Sequence, residues 1–115
     1  MAKNDKSDEG RMQRARDAAA EQSAVIVGRR VKRLRKYLKA HGATWHTQQH
    51  LADLAGIHQS QMSAYEKGHS MLPPEVALVL CYAFVHDHGI QLEWLYRGVD
   101  TDLRRSLREW LSKSH

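Results

Sequence analysis

The sequence predicts an all-α fold, and three observations carry that expectation. Apolar residues recur at three- and four-residue spacings in one segment after another. Glycines stand where those segments stop, and threonine or proline stands where three of them begin. Two prolines and seven glycines in 115 residues are too few for a many-turned β fold.

The N-terminal residues 1–23 read as a basic polar arm, flexible or helical, without a strong apolar face. Met1 to Gly10 is expected to be mobile. Arg11 to Gln22 holds three consecutive alanines among Arg and Gln, all good helix formers, and could extend the next helix or fold on contact with a partner. Helix 1 is expected from Ser23 to Lys39. Val27, Val31, Leu34 and Leu38 fall on one helical face, ringed by Arg29, Arg30, Lys32, Arg33, Arg35 and Lys36. Gly42 is a suitable residue to close it, and Ala40 to His46 then forms a loop.

Thr47 is a good N-cap for helix 2, with Leu51, Leu54 and Ala55 on one side and a stop at Gly56. Helix 3 is expected from His58 or Gln59 to Gly68, burying Met62 and Tyr65, with Ala52 of helix 2 small enough for close approach. Helix 4 opens at Pro73-Pro74-Glu75, proline in the first turn and an acid at the positive end of the helix dipole. It is apolar nearly all round from Val76 to Phe84, as expected of a central buried helix, and stops at Gly89. Helix 5 spans Leu92 to Arg97 and is closed by Gly98. Helix 6 is expected over Asp102 to Ser112 with Thr101 as N-cap and a stripe of Leu103, Leu107, Trp110 and Leu111. The chain thus divides at 1–23, 24–98 and 99–115.

Several functional classes drop out on composition. The longest uncharged apolar run, Val76 to Val85, is half the roughly twenty residues a membrane span needs. A lone cysteine, Cys81, excludes a disulfide scaffold and is expected to be a buried, inert thiol. The first ten residues lack the apolar core of a secretory signal, so a cytoplasmic protein is expected, nucleoid-associated if it binds DNA. Net charge is +5 and unevenly spread. Residues 1–39 hold twelve Lys/Arg and five Asp/Glu; residues 40–115 hold six and eight. A basic half on a near-neutral body points to a polyanion, nucleic acid before membrane.

Eight histidines raise the question of a metal. His46 and His50 are four apart and His86 and His88 two apart, but there is neither a paired cysteine nor an HExxH. No metal and no cofactor are expected, and His50 is expected on the outer face of helix 2. Nothing in the chain reads as a nucleophile elbow, a P-loop or a paired-carboxylate site, so an enzyme is not expected.

Two short helices joined by a tight turn at Gly56 make a helix-turn-helix signal. The full pattern is richer. Val27-Gly28-x-x-Val31-x-x-Leu34-Arg35 precedes Gln48-Gln49-x-Leu51-Ala52-x-Leu54-Ala55-Gly56-Ile57. Met62-Ser63-x-Tyr65-Glu66-x-Gly68 follows, and then Gly89-Ile90-x-Leu92-Glu93-Trp94-Leu95-Tyr96-x-Gly98. In this the chain resembles the Cro and lambda-repressor-like (Xre) helix-turn-helix family over residues 24–98. The resemblance implies a five-helix DNA-binding domain, here with an additional C-terminal helix. It implies base reading by Gln59, Ser60 and Ala64 of helix 3, although longer polar residues are frequent at the position of Ala64. It implies phosphate contacts from Thr47, Gln48, His58, Ser63 and Lys67, His58 standing where a small hydroxyl cap is usual. It implies a structural ion pair between Arg35 and Glu66, with Ile57 and Met62 in the core. The loop before helix 2 is longer than typical and would bring Trp45 and His46 near the DNA backbone.

The function so implied is sequence-specific binding of a double-stranded DNA operator by a homodimer, as a transcriptional regulator and repressor. The alternative is an antitoxin or other protein-binding module on the same scaffold, which neutralises a toxin or other partner protein and regulates its own operon. The helix 6 stripe must be buried against something: the body of the monomer, or, as the dimer reading favours, the same helix of a second copy.

Overall fold

A computed structural model of the chain describes residues 2–42 and 46–113, apart from the side chains of residues 2–7. Among these residues it is all-helical: α1 (Ala2–Ala40), α2 (Gln48–Ala55), α3 (Gln59–Lys67), α4 (Pro74–His88), α5 (Leu92–Arg97) and α6 (Arg105–Leu111). The overall dimensions are 61 × 30 × 24 Å.

The long dimension comes from α1. It runs unbroken for 39 residues, with Ala2 to Gly10 in the same helix as the rest, where a mobile segment was expected. No proline interrupts residues 2–40, and an internal glycine costs a helix only about 1 kcal/mol. Residues 24–40 carry the packing face: Ala24, Val27, Val31, Leu34, Tyr37 and Leu38 are all buried. From Asp8 to Ser23 every residue except half-buried Gly10 is exposed. The first 22 residues of α1 therefore stand roughly 33 Å out from the body at 1.5 Å per residue.

Around residues 24–40, α3 packs on one side of α1 and α5 and α6 on the other, while α2 lies against α3 and α4. Leu51, Ala52, Met62, Leu72, Val76, Leu80, Phe84, Ile90, Trp94 and Leu95 complete the core. Close approach of α1 to α3 depends on Gly28. A Cβ built there would stand 2.1 Å from the Tyr65 carbonyl oxygen and 2.8 Å from that of Glu66.

Local signals place most helix ends. The Thr47 hydroxyl oxygen accepts from the His50 N–H at 3.0 Å, capping α2. Gly56 ends α2 at φ +71°, a conformation that L side chains rarely adopt, and this lets α3 start three residues later. The α3 cap, left open by a histidine at 58, is closed from the third helical residue: the Gln61 side-chain oxygen accepts from the His58 N–H at 2.9 Å. That is half of a capping box.

Two expectations are corrected. First, α4 is not apolar on all sides of a buried rod. Val76, Ala77, Leu80 and Phe84 are buried, but Leu78 is 41% and Tyr82 81% exposed. Cys81 is half-buried, not fully so, and burial pushes its thiol up to about 11, so it stays protonated and unreactive at neutral pH.

Second, Thr101 does not cap α6, which begins at Arg105. The segment before it is held by α4: the Arg104 N–H donates to the His88 carbonyl at 2.9 Å and the Arg104 guanidinium to the His86 carbonyl at 3.2 Å. This docking seats Leu103 in the core as part of a turn. The stripe then closes on the monomer. Leu103 and Leu107 are buried and Trp110 and Leu111 pack against the same cluster, while the Tyr37 and Ser106 hydroxyls bond at 2.6 Å. The apolar stripe of α6 is thus consumed within one chain. Leu107→Ala, at a site with no exposure, is expected to cost about 2–5 kcal/mol of stability, read from urea unfolding.

Candidate nucleic-acid interface

Helix α3 divides by helical geometry. At 100° per residue, Gln59, Ser63, Lys67, Ser60 and Ala64 share an arc of about 140°, while Met62 and Tyr65 fall opposite and Glu66 lies just beyond the Gln59 edge, turned inward. Burial follows the same division. Met62 and Glu66 are buried, Gln59, Ser60 and Lys67 exposed, and Ser63 and Ala64 half-buried. The first turn presents Gln59 and Ser60 to solvent, and neither makes a side-chain hydrogen bond among the described residues. No acid lies on the arc.

A buried polar cluster holds this helix. Arg35 of α1 meets Glu66 with two parallel bonds, Nε to Oε2 at 2.9 Å and Nη2 to Oε1 at 2.8 Å. The Glu66 side chain is 2% exposed and that of Arg35 19%. A third donor comes from α2: Gln48 Nε2 to Glu66 Oε1 at 3.1 Å. The carboxylate therefore receives donors from both neighbouring helices, which meets the cost of removing its charge from water. The expected ion pair is present, but Gln48 differs from expectation. Its amide is turned inward onto Glu66, with one N–H engaged, and is not aimed wholly at a phosphate.

The remaining expected residues are placed as follows. Thr47 is half-buried and its oxygen caps α2, leaving its hydroxyl proton as the donor that could face outward. His58 is exposed at the start of α3. His46 is half-buried with its ring centroid 5.6 Å from that of His50, so His50 is not on an open outer face. Trp45 lies outside the described residues. Among the described residues no group of three or more His, Cys, Asp or Glu could hold a metal ion, and no helix is long and apolar enough to cross a membrane.

The positive charge is also relocated. Residues 1–23 hold five Lys/Arg and five Asp/Glu, so the arm is polar but not basic; residues 24–39 hold seven Lys/Arg and no acid. The arm also leaves the body at the wrong end of α3 for base contact. Val25 packs beneath Gly68, where a Cβ on the glycine would stand 2.6 Å from the Val25 Cα, whereas Gln59 and Ser60 begin the helix. Of the seven cations, Arg35 is in the ion pair. Arg30 and Arg33 donate to the carbonyls of Leu95 and Leu111, roles that periodicity alone did not reveal. Arg29, Lys32, Lys36 and Lys39 are exposed. Lys32 and Lys39, three residues before and four after Arg35, share its side of α1 and so flank α3.

The chain gives no significant match to protein-family models, to curated proteins or to solved structures.

Proposed function

We propose that the chain is a sequence-specific DNA-binding regulator, a repressor of the Cro and lambda-repressor-like kind, that inserts α3 into the major groove of its operator. One observation carries the reading: an acid-free polar arc on α3, with Gln59 and Ser60 free in its first turn, on a helix clamped from behind by Arg35, Glu66 and Gln48. A helix is about 10–12 Å across and fits a major groove about 12 Å wide, where the N-terminal side chains reach base edges. Gln59 can bond an adenine edge through both amide atoms, Ser60 can donate or accept, and the Ala64 methyl suits a thymine methyl. Ser63, Lys67 and His58, with Lys32 and Lys39, supply the phosphate contacts that set register and affinity.

Recovery of one enriched motif from a random duplex pool tests the reading; recovery of none overturns it. Gln59→Ala is expected to cost roughly 1–3 kcal/mol at one base pair and to relax the motif there, whereas Lys67→Ala is expected to weaken all sequences about equally. An unchanged motif with Gln59→Ala would place base reading elsewhere on the helix.

Two copies on half-sites roughly 34 Å apart complete the proposal. With the α6 stripe used in the monomer, the strip of exposed Leu78 and Tyr82 with half-buried Val85 and Leu92 on α4 and α5 is the contact proposed for the pair. The antitoxin reading draws on a different feature, the exposed helical arm. Its residues from Asp8 to Ser23 are exposed apart from half-buried Gly10, as in a helix offered to a protein partner.

A further inference from the structure

Beside the α3 face of α1 lies a cationic trough that shares only Lys32 with the proposed DNA contacts. Arg30 and Arg33 of α1 and Arg108 of α6 surround a cavity of about 290 Å³, with Gly98, Trp94 and Asp100 among its other walls. It continues into a wider hollow of about 500 Å³ lined by Arg29, Lys32, Lys36 and Lys113, the two sharing Arg33. Seven cations face the trough and one acid, Asp100.

Two of the guanidinium groups are held in place. Arg30 Nη1 donates to the Leu95 carbonyl at 3.1 Å. The same guanidinium lies over Gly98, whose Cβ, if present, would be 2.6 Å from Nη2. Arg33 Nη2 donates to the Leu111 carbonyl. Those bonds satisfy carbonyls in the last turns of α5 and α6, and that alone would explain one N–H of each arginine. A guanidinium has five. Among the described residues none of Arg30, Arg33 and Arg108 forms an ion pair, and burial pulls the Arg30 guanidinium below its ordinary value. Three like charges around one void, none of them paired with a carboxylate among the described residues, are an unfavourable arrangement unless an anion joins them.

We propose that this trough binds a small ligand carrying two or more phosphoryl groups. Arginine forks match phosphate oxygens in pairs. A single carboxylate would leave most of the charge unmatched. The cavity is near the lower end of ligand-site volumes, about 300–1,000 Å³, so it suits a small molecule better than a polymer strand. Its position argues the same way. Arg33 and Arg35 are two residues apart, about 160° around the helix, and Arg35 is on the α3 side. A duplex seated on α3 therefore lies across α1 from the cavity between Arg30, Arg33 and Arg108. Bound there, the ligand bridges α1 to α6 and secures the C-terminal helix.

Titration of the full chain with pyrophosphate, by calorimetry and by thermal melting, is the test, and it is independent of whether the chain binds DNA. Saturable one-to-one binding and a raised Tm are expected, with sulfate at equal ionic strength giving neither. Arg108 is exposed and its side chain has no hydrogen-bond or ion-pair partner among the described residues, so Arg108→Gln is expected to weaken binding by about tenfold or more while leaving the Tm of the free protein unchanged or slightly raised. Lys36→Gln, in the wider hollow, is expected to weaken it less and serves if the first variant folds poorly. The proposal is overturned by a lack of saturation in the millimolar range, by equal binding of sulfate, or by parental affinity in both variants. Stoichiometric displacement of pyrophosphate by duplex DNA overturns it too, because the trough would then be backbone-contacting surface.

Discussion

Replacement of Gly28 by alanine is expected to destabilise the protein by about 3 kcal/mol or more, against a gain of about 1 kcal/mol for the same change in an unobstructed helix. The sign turns on which atoms the new methyl meets. Both are main-chain carbonyl oxygens of α3, at 2.1 and 2.8 Å, and neither can rotate away as a side chain could. Relief requires α1 and α3 to separate, and that would stretch the Arg35–Glu66 bonds two turns further along α1. Gly10 is the internal control. Its Cβ would meet only the end of the Arg14 side chain, at 3.4 Å, so Gly10→Ala is expected to stabilise or to leave stability unchanged. Urea unfolding of both variants checks the pair. A Gly28→Ala protein as stable as Gly10→Ala would mean that the two helices do not approach so closely.

Loss of either partner of the Arg35–Glu66 pair is expected to cost about 3–5 kcal/mol, because it leaves an uncompensated charge in a largely dry site. Glu66→Ala is expected to be the worse change. It abandons Arg35 and Gln48 together, since both donate to the same carboxylate, whereas Arg35→Ala leaves Glu66 one remaining side-chain donor. The double variant is expected to be less destabilised than the sum of the singles. A coupling energy near zero in the double-mutant cycle would show that the two residues act separately. Because this cluster holds α3 against α1 and α2, conservative variants that still fold are also expected to weaken the DNA binding proposed for α3.

How far the fold could be read in advance depended on whether a signal was local. The apolar stripe of Val27, Val31, Leu34 and Leu38 was legible because helical period alone brings those residues to one face. The Thr47 cap, the Gly56 turn and the Gly98 end of α5 were legible because a side chain or a φ angle acts within a few residues. The α6 start was not. Thr101 is a good cap in isolation, but the hold of Arg104 on the α4 carbonyls, seventeen residues or so back in the chain, sets where the helix begins. Tyr82 was not legible either, since an apolar run does not say which of its faces finds a neighbour.

The candidate interface divides in the same way. Which α3 residues share the outward arc follows from 100° per residue and needs no partner. That Gln48 turns in toward Glu66, that Arg30 and Arg33 end on the last turns of α5 and α6, and that three arginines surround one cavity depend on contacts across 18 to 78 positions of chain. The sequence by itself determined the helices, their amphipathic faces and the excess of charge in residues 24–39, because each is a property of residues within two or three turns of one another. Only the tertiary structure decided which of those charges are spent on carbonyls and carboxylates and which stay free, and that the last apolar stripe closes its own core. Those outcomes turn on which helices meet across α1, and no spacing within a single helix encodes that.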